Sequence, residues 1–173
     1  QQTVVMKPLI LFITVLVSAQ SFAQDFYPLK RKPFKYSVTV DKKTAFEQEV
    51  PESEYLLPDL TLQIYAGETV FLEIEQENGK ITNIKAVAEN RFPAKTLVVS
   101  FEQKATKKVH ETMMLKVFNP FTYSLKYDCK IFLAQYKKWV NTNVLDVQPK
   151  LSGIEMWPDV ATSISLGGFT LIK

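Results

Sequence analysis

The chain has 173 residues, 46% of them hydrophobic and 12% aromatic, with a formal net charge of +3. This composition can fill a core and argues against intrinsic disorder. The near balance of acidic and basic residues gives no reason to expect a nucleic-acid partner. Cys129 is the only cysteine, which excludes an intramolecular disulfide.

The first predicted element is a secretory signal peptide at residues 6–23. Lys7 supplies its basic start, residues 9–17 form a short apolar core, and Ser21 and Ala23 are the small residues that precede a cleavage site. The core is about half as long as the roughly 20 apolar residues that cross a bilayer. We expect residues 1–23 to be removed after Ala23, no membrane span, and export of the protein to the periplasm or the extracellular space.

Residues 24–33 follow as an expected flexible lead-in, because they contain two prolines and the basic group Lys30-Arg31-Lys32. A basic group this short is ordinarily solvated. We expect residues 34–173 to form a single domain, since this length is typical of one.

A period of two dominates the rest of the chain and predicts half-buried strands. The clearest case puts Leu125, Tyr127, Cys129, Ile131 and Leu133 on one face. Turn signals lie between the alternating segments, and Asn78-Gly79 is the strongest hairpin signal among them. Residues 44–55 are the one possible helix, although Pro51 interrupts them.

These elements predict an all-β fold with eight or nine short antiparallel strands. The scarcity of glycine, at five residues, favours a β-sandwich over a barrel. The segment LKVFNPFTYSLKYDCKIF, residues 115–132, resembles consecutive strands of bacterial secreted immunoglobulin-like β-sandwich domains. That resemblance implies an immunoglobulin-like architecture and no particular activity.

Residue types suited to catalysis are few. His110 is the only histidine, and its lysine-rich surroundings suggest a solvated loop. Cys129 is expected to act as a small buried hydrophobe. Glu73 and Glu75 are the least unsuitable carboxylates for a hydrolase. A calcium site is conceivable among the clustered glutamates, but the usual calcium-loop spacing is absent. We therefore expect no catalytic residue, no metal site and no cofactor.

Two tryptophans are the candidate ligand-binding residues. Trp139 and Trp157 both lie near predicted strand ends and beside polar residues. An indole ring exposed in such a place can stack on a sugar ring. The alternative is that each tryptophan caps one end of the hydrophobic core.

The expected function is therefore that of a non-enzymatic binding or assembly module of the bacterial envelope. Its partner would be an envelope protein or an extracellular glycan, and its oligomeric state is left open. A carbohydrate-binding accessory module and a carboxylate-based secreted hydrolase are the alternatives. Strand addition would use the terminal strands at residues 34–40 and 169–172, because unpaired strand edges template pairing.

Overall fold

The computed structural model describes residues 28–173, and the expected signal peptide, its cleavage site at Ala23 and residues 24–27 lie outside this range. The described residues contain thirteen strands and no helix. The strands are β1 (Lys30–Arg31), β2 (Phe34–Thr39), β3 (Ala45–Val50), β4 (Ser53–Glu54), β5 (Leu62–Tyr65), β6 (Glu68–Glu77), β7 (Lys80–Val87), β8 (Thr96–Thr106), β9 (Val109–Phe118), β10 (Ser124–Leu133), β11 (Lys138–Thr142), β12 (Ser152–Trp157) and β13 (Ala161–Ile172).

All the pairings between these strands are antiparallel, as the sequence predicted. One sheet has five strands in the order β12-β9-β8-β6-β7, and another has four in the order β11-β10-β13-β5. The pairs β1-β4 and β2-β3 form two small sheets. The thirteen strands exceed the eight or nine expected, partly because β1 and β4 have only two residues each. In addition, β3 occupies the segment that had been considered as a helix.

A single buried cluster contains side chains from both larger sheets. In β10, the five residues predicted to share one face are indeed the buried ones, and the residues between them are exposed or half-buried. The same buried cluster includes the fully buried Leu72 of β6, Leu115 of β9 and Ile164 of β13. The alternation therefore gives each larger sheet one apolar face toward this core and one face toward water.

The turn between β5 and β6 joins the two larger sheets. The Ala66 amide donates to Thr162 of the four-stranded sheet, and the Gly67 amide donates to Phe101 of the five-stranded sheet. Gly67 has a φ of 97°, a conformation that residues with a side chain rarely adopt. This tight turn lets the chain leave one sheet and enter the other directly.

The expectation that the first basic group is solvated is wrong for Arg31. Its side chain is 3% exposed, and its Nε lies 3.1 Å from a carboxylate oxygen of Glu68. The guanidinium lies between the rings of Tyr55 and Tyr65, 4.6 and 4.9 Å from their centroids. Two aromatic faces and a carboxylate compensate for the lost hydration of the cation. Arg31 thereby fastens β1 to the β5–β6 region.

No helix in the described part of the chain has the length and apolar character needed to span a membrane.

Candidate functional site: a groove on the four-stranded sheet

An open groove of about 470 Å³ crosses the outer face of the four-stranded sheet. All four strands contribute to it: Gln63 comes from β5, Lys130 from β10, Trp139 from β11 and Ser165 from β13. The strand neighbours of these residues, such as Leu62 and Ile164, are fully buried. The groove residues thus occupy the polar half of each alternating pattern.

A β-bulge in β13 shapes the floor of the groove. Asp128 of β10 pairs with Gly167, whereas Lys126 pairs with Thr170, so β13 has one extra residue between these positions. Gly168 has a φ of 61°, and a Cβ atom there would lie 2.8 Å from Oδ2 of Asp128. The floor therefore needs glycine, both for the backbone conformation and for the close approach of Asp128.

Trp139 stands on the same outer face as the groove. It is 41% exposed, and its ring meets Phe132 edge to face with centroids 5.4 Å apart. The two residues are directly opposite each other in the pairing of β10 with β11. This contact fixes the indole in position and leaves part of its surface available to a ligand.

Polar groups in the groove are available for hydrogen bonding. The side chains of Gln63, Asp128 and Ser165 have no hydrogen-bond partner among residues 28–173. The pKa of Asp59 at the rim is lowered, mainly by a hydrogen bond from the Thr61 amide and to a smaller extent by the positive charge of Lys130. The groove therefore presents donors and acceptors of both charge signs beside an aromatic ring.

Trp157, the second predicted ligand-binding residue, is not in the groove. It is half-buried and packs against the core, and its Nε1 donates a hydrogen bond of 2.9 Å to Oγ1 of Thr142. Thr142 and Trp139 have opposite parity in β11, so the two tryptophans lie on opposite sides of that strand. The structure does not bring them together, and the position of Trp157 is that of a core cap.

Cys129 is buried in the core face of β10. Burial raises the pKa of its thiol to about 12, with a smaller contribution from the negative charge of Glu155. A thiol that stays protonated at neutral pH is a poor nucleophile. Its surroundings are those of a small hydrophobic side chain, as the alternation predicted.

His110 lies in strand β9, not in the loop that its neighbours in the sequence suggested. Its Nδ1 is 2.8 Å from Nε2 of Gln103, and its Nε2 is 3.0 Å from the carbonyl oxygen of Pro158. An amide donor on one side and a carbonyl acceptor on the other match a neutral ring with its proton on Nε2. Both nitrogens are thus used in contacts that hold the fold together.

Glu73 is buried on β6, between two lysines. Its carboxylate oxygens lie 2.9 Å from Nζ of Lys85 and 3.6 Å from Nζ of Lys95. Glu75 is exposed, and Nδ2 of Asn83 lies 3.4 Å from its carboxylate. Within residues 28–173, no group of three or more metal-binding side chains is close enough together to hold an ion.

Comparison with family models, curated proteins and solved structures gives no match to this chain. The groove is therefore characterised from its own residues. The sequence did not indicate that Asp128, Lys130 and Gly168 belong with Trp139. The only signal was a glycine pair inside an alternating segment, which often marks a bulge.

Proposed function

We propose that this protein is an exported, non-enzymatic binding module of the bacterial envelope, and that it takes a glycan in the groove. The observation that carries the proposal is the exposed Trp139 ring beside polar side chains that lack partners. Sugars offer apolar ring faces that stack on indole and hydroxyl groups that bond to carboxylates, amides and ammonium groups. The same combination gives no advantage to a purely apolar ligand.

We also propose that the two larger sheets form an immunoglobulin-like β-sandwich in the architectural sense. A shared core and antiparallel pairing support this. The strand order differs from the constant-type immunoglobulin arrangement, because β6 to β9 are four successive strands of one sheet. The proposed likeness to immunoglobulin domains therefore concerns the packing of two sheets on a shared core and not the order of the strands.

A second candidate function is assembly through strand addition. Strand β5 pairs with β13 only from Ser163 to Leu166, so the later part of β13 extends beyond β5. Within residues 169–172, the last three residues pair with β10, and no strand of the described chain pairs with their other side. An incoming strand could hydrogen-bond to the other side. The other expected terminal strand, at residues 34–40, contains β2, which belongs to a two-stranded sheet and pairs with β3.

The hydrolase alternative receives less support from the geometry. Glu73 is buried, and its carboxylate oxygens contact the ammonium groups of Lys85 and Lys95, so they are engaged within the fold rather than open to a substrate.

The test is titration of the protein with a panel of bacterial and plant oligosaccharides, read by calorimetry. Trp139→Ala should weaken binding of the active glycan by roughly 2- to 30-fold, because contacts with an aromatic ring face contribute about 0.5–2 kcal/mol. Trp157→Phe leaves Trp139 as the only tryptophan, and the ligand should then shift its fluorescence.

Tyr136→Ala provides the matched control, since Tyr136 is 55% exposed and does not line the groove. Its affinity for the glycan should equal that of the unmodified protein. If Trp139→Ala bound the glycan as tightly as the unmodified protein, the groove would be rejected as the glycan-binding site. Loss of self-association on substitution of residues 169–172, with no glycan bound, would favour assembly instead.

A further inference from the structure

Two lysine-bearing turns that are far apart in the sequence lie next to each other in the fold. The β2–β3 turn contains Lys42 and Lys43, and the β8–β9 turn contains Lys107 and Lys108. The amide of His110, just after the second turn, donates to the carbonyl of Val40 at the start of the first, over 3.3 Å. We call these four lysines the lysine tip.

Gln103 fastens the two hairpins together below the lysine tip. Its Oε1 accepts a hydrogen bond of 2.9 Å from the Thr39 amide, and its Nε2 donates one of 2.6 Å to the Thr39 carbonyl. The side-chain amide of Gln103 thus makes the same two hydrogen bonds to Thr39 that the backbone of a paired strand residue would make. Nε2 of Gln103 also contacts Nδ1 of His110, so this side chain connects strands β2, β8 and β9.

The charge of the lysine tip is largely unneutralised. All four side chains are exposed, and none of them has an ion-pair partner among residues 28–173. The nearby Glu102 is paired with Lys104 at 2.8 Å. The Asp41 carboxylate accepts bonds from the amides of Lys43 and Thr44 within its own turn. Glu111 on β9 is the remaining carboxylate close to the tip in sequence.

The backbone of the β8–β9 turn is costly for lysine. Lys107 and Lys108 have φ values of 51° and 62°, the left-handed conformation of a two-residue type I′ turn. Asn-Gly is the preferred pair for this turn, and the β6–β7 turn of the same chain uses it at Asn78 and Gly79. A lysine pair weakens the hairpin, which suggests that the two charges serve another purpose.

We propose that the lysine tip docks the protein on a membrane surface rich in anionic phospholipid headgroups. The four ammonium groups are exposed on two adjoining turns, and none of them lines the groove. Such a surface can touch a planar array of phosphates at several points, whereas a polyanionic chain is usually bound along a groove. This contact is separate from the groove and does not depend on a glycan ligand.

The test is sedimentation of the full chain with vesicles of mixed phosphatidylglycerol and phosphatidylcholine, compared with phosphatidylcholine alone. The measured quantity is the increase in binding caused by the anionic lipid, so any apolar contribution cancels. Lysine near an anionic bilayer strengthens binding by roughly fivefold per residue. Lys107→Gln with Lys108→Gln, or Lys42→Gln with Lys43→Gln, should therefore reduce that increase by roughly 10- to 30-fold.

Lys137→Gln with Lys138→Gln is the matched control, because it removes two charges elsewhere, from the last residue of the β10–β11 turn and the first residue of β11. This control variant should lose little of the increase in binding that the anionic lipid causes. Lys107→Asn with Lys108→Gly removes two of the four tip charges while improving the turn, so the increase in binding should fall as in the glutamine variant although the hairpin becomes more stable. Raising the salt from about 0.1 M to about 1 M shortens the Debye length from about 10 Å to about 3 Å and should abolish the increase.

Equal losses in the control and tip variants would overturn the proposal, since net charge alone would then explain the binding. Retention of binding by the Lys107→Asn, Lys108→Gly variant would also overturn it. If the protein bound soluble polyphosphate but not the anionic vesicles, the partner would be a free polyanion and membrane docking would be rejected.

Discussion

At the scale of single residues, Asn119 organises more of the structure than its position after a strand suggests. It is fully buried, and its Nδ2 donates to the carbonyl oxygens of Tyr123, Val147 and Gln148 at 2.8, 2.9 and 3.3 Å. Its Oδ1 accepts from the Phe121 amide at 3.0 Å. One side chain therefore links the backbones of the loops at residues 119–123 and 147–148, and the Val147 and Gln148 carbonyls accept it in addition to the amides of Leu125 and Leu151.

Asn119→Asp tests this role with almost no change in shape. A carboxylate offers no donor to the three carbonyl oxygens and places a negative charge beside them. We expect the free energy of unfolding to fall by about 3 kcal/mol or more, measured by chemical denaturation. Asn141→Asp is the control, because Asn141 is exposed on β11, and it should change stability by no more than about 0.5 kcal/mol. Similar values for the two variants would contradict the role given to Asn119.

Cys129 makes stability depend on alkaline pH. Its thiol pKa is about 12 in the folded protein against an ordinary value of 9.0. Between these values the unfolded chain loses the proton first and so binds fewer protons than the folded protein. The contribution is therefore fully present below pH 9 and is lost as pH rises toward 12, at up to about 1.4 kcal/mol per pH unit.

Cys129→Ala removes this contribution, so its unfolding free energy should decline less steeply above pH 9. The comparison uses slopes, because the smaller side chain also lowers stability at every pH. Burial raises the pKa of the neighbouring Tyr127 as well, and both proteins retain that effect. Parallel slopes from denaturation series at several pH values would refute the expectation.

At the scale of elements, the strands could be predicted from alternation and the turns only where their residues were distinctive. Asn78-Gly79 forms the two-residue turn expected of it, with φ values of 53° and 83°. The Lys107-Lys108 turn was not specified by local chemistry, because lysine has no preference for that conformation. Strand β3 was obscured by its mixed, mostly exposed side chains, which follow neither period clearly.

Two features of the β6–β7 turn require glycine at position 79: its positive φ and its close approach to Tyr123. Gly79→Ala tests the second of these. A Cβ atom there would lie 3.1 Å from Cε1 of Tyr123, in addition to the strain of a positive φ. We expect a loss of about 1–3 kcal/mol in unfolding free energy. In a Tyr123→Ala background the same substitution should cost less, because only the backbone strain is left. A double-mutant cycle measures the difference, and an interaction energy of zero would show that the contact is unimportant.

At the scale of the whole molecule, the site was harder to predict than the fold. Alternation assigns each residue to a face of its own strand, but it does not say which strands are neighbours. Trp139 and Trp157 looked equivalent in the sequence, and the structure separates them because Trp139 faces outward on β11 while Trp157 reaches Thr142 on its inner side. The groove depends on β10 and β13 being adjacent, and only long-range pairing determines that.

The place of β13 has a consequence for the order in which the molecule is assembled. It is the last strand of the described chain, yet it lies between β10 and β5 inside its sheet. Strand β5 therefore has no partner for the edge that pairs with β13 until the ribosome has synthesised residues 161–172. Closing so long a loop is entropically expensive and slows folding. Until β13 is in place, β10 and β5 lack the strand that joins them, so the four-stranded sheet cannot close before residues 161–172 have been synthesised.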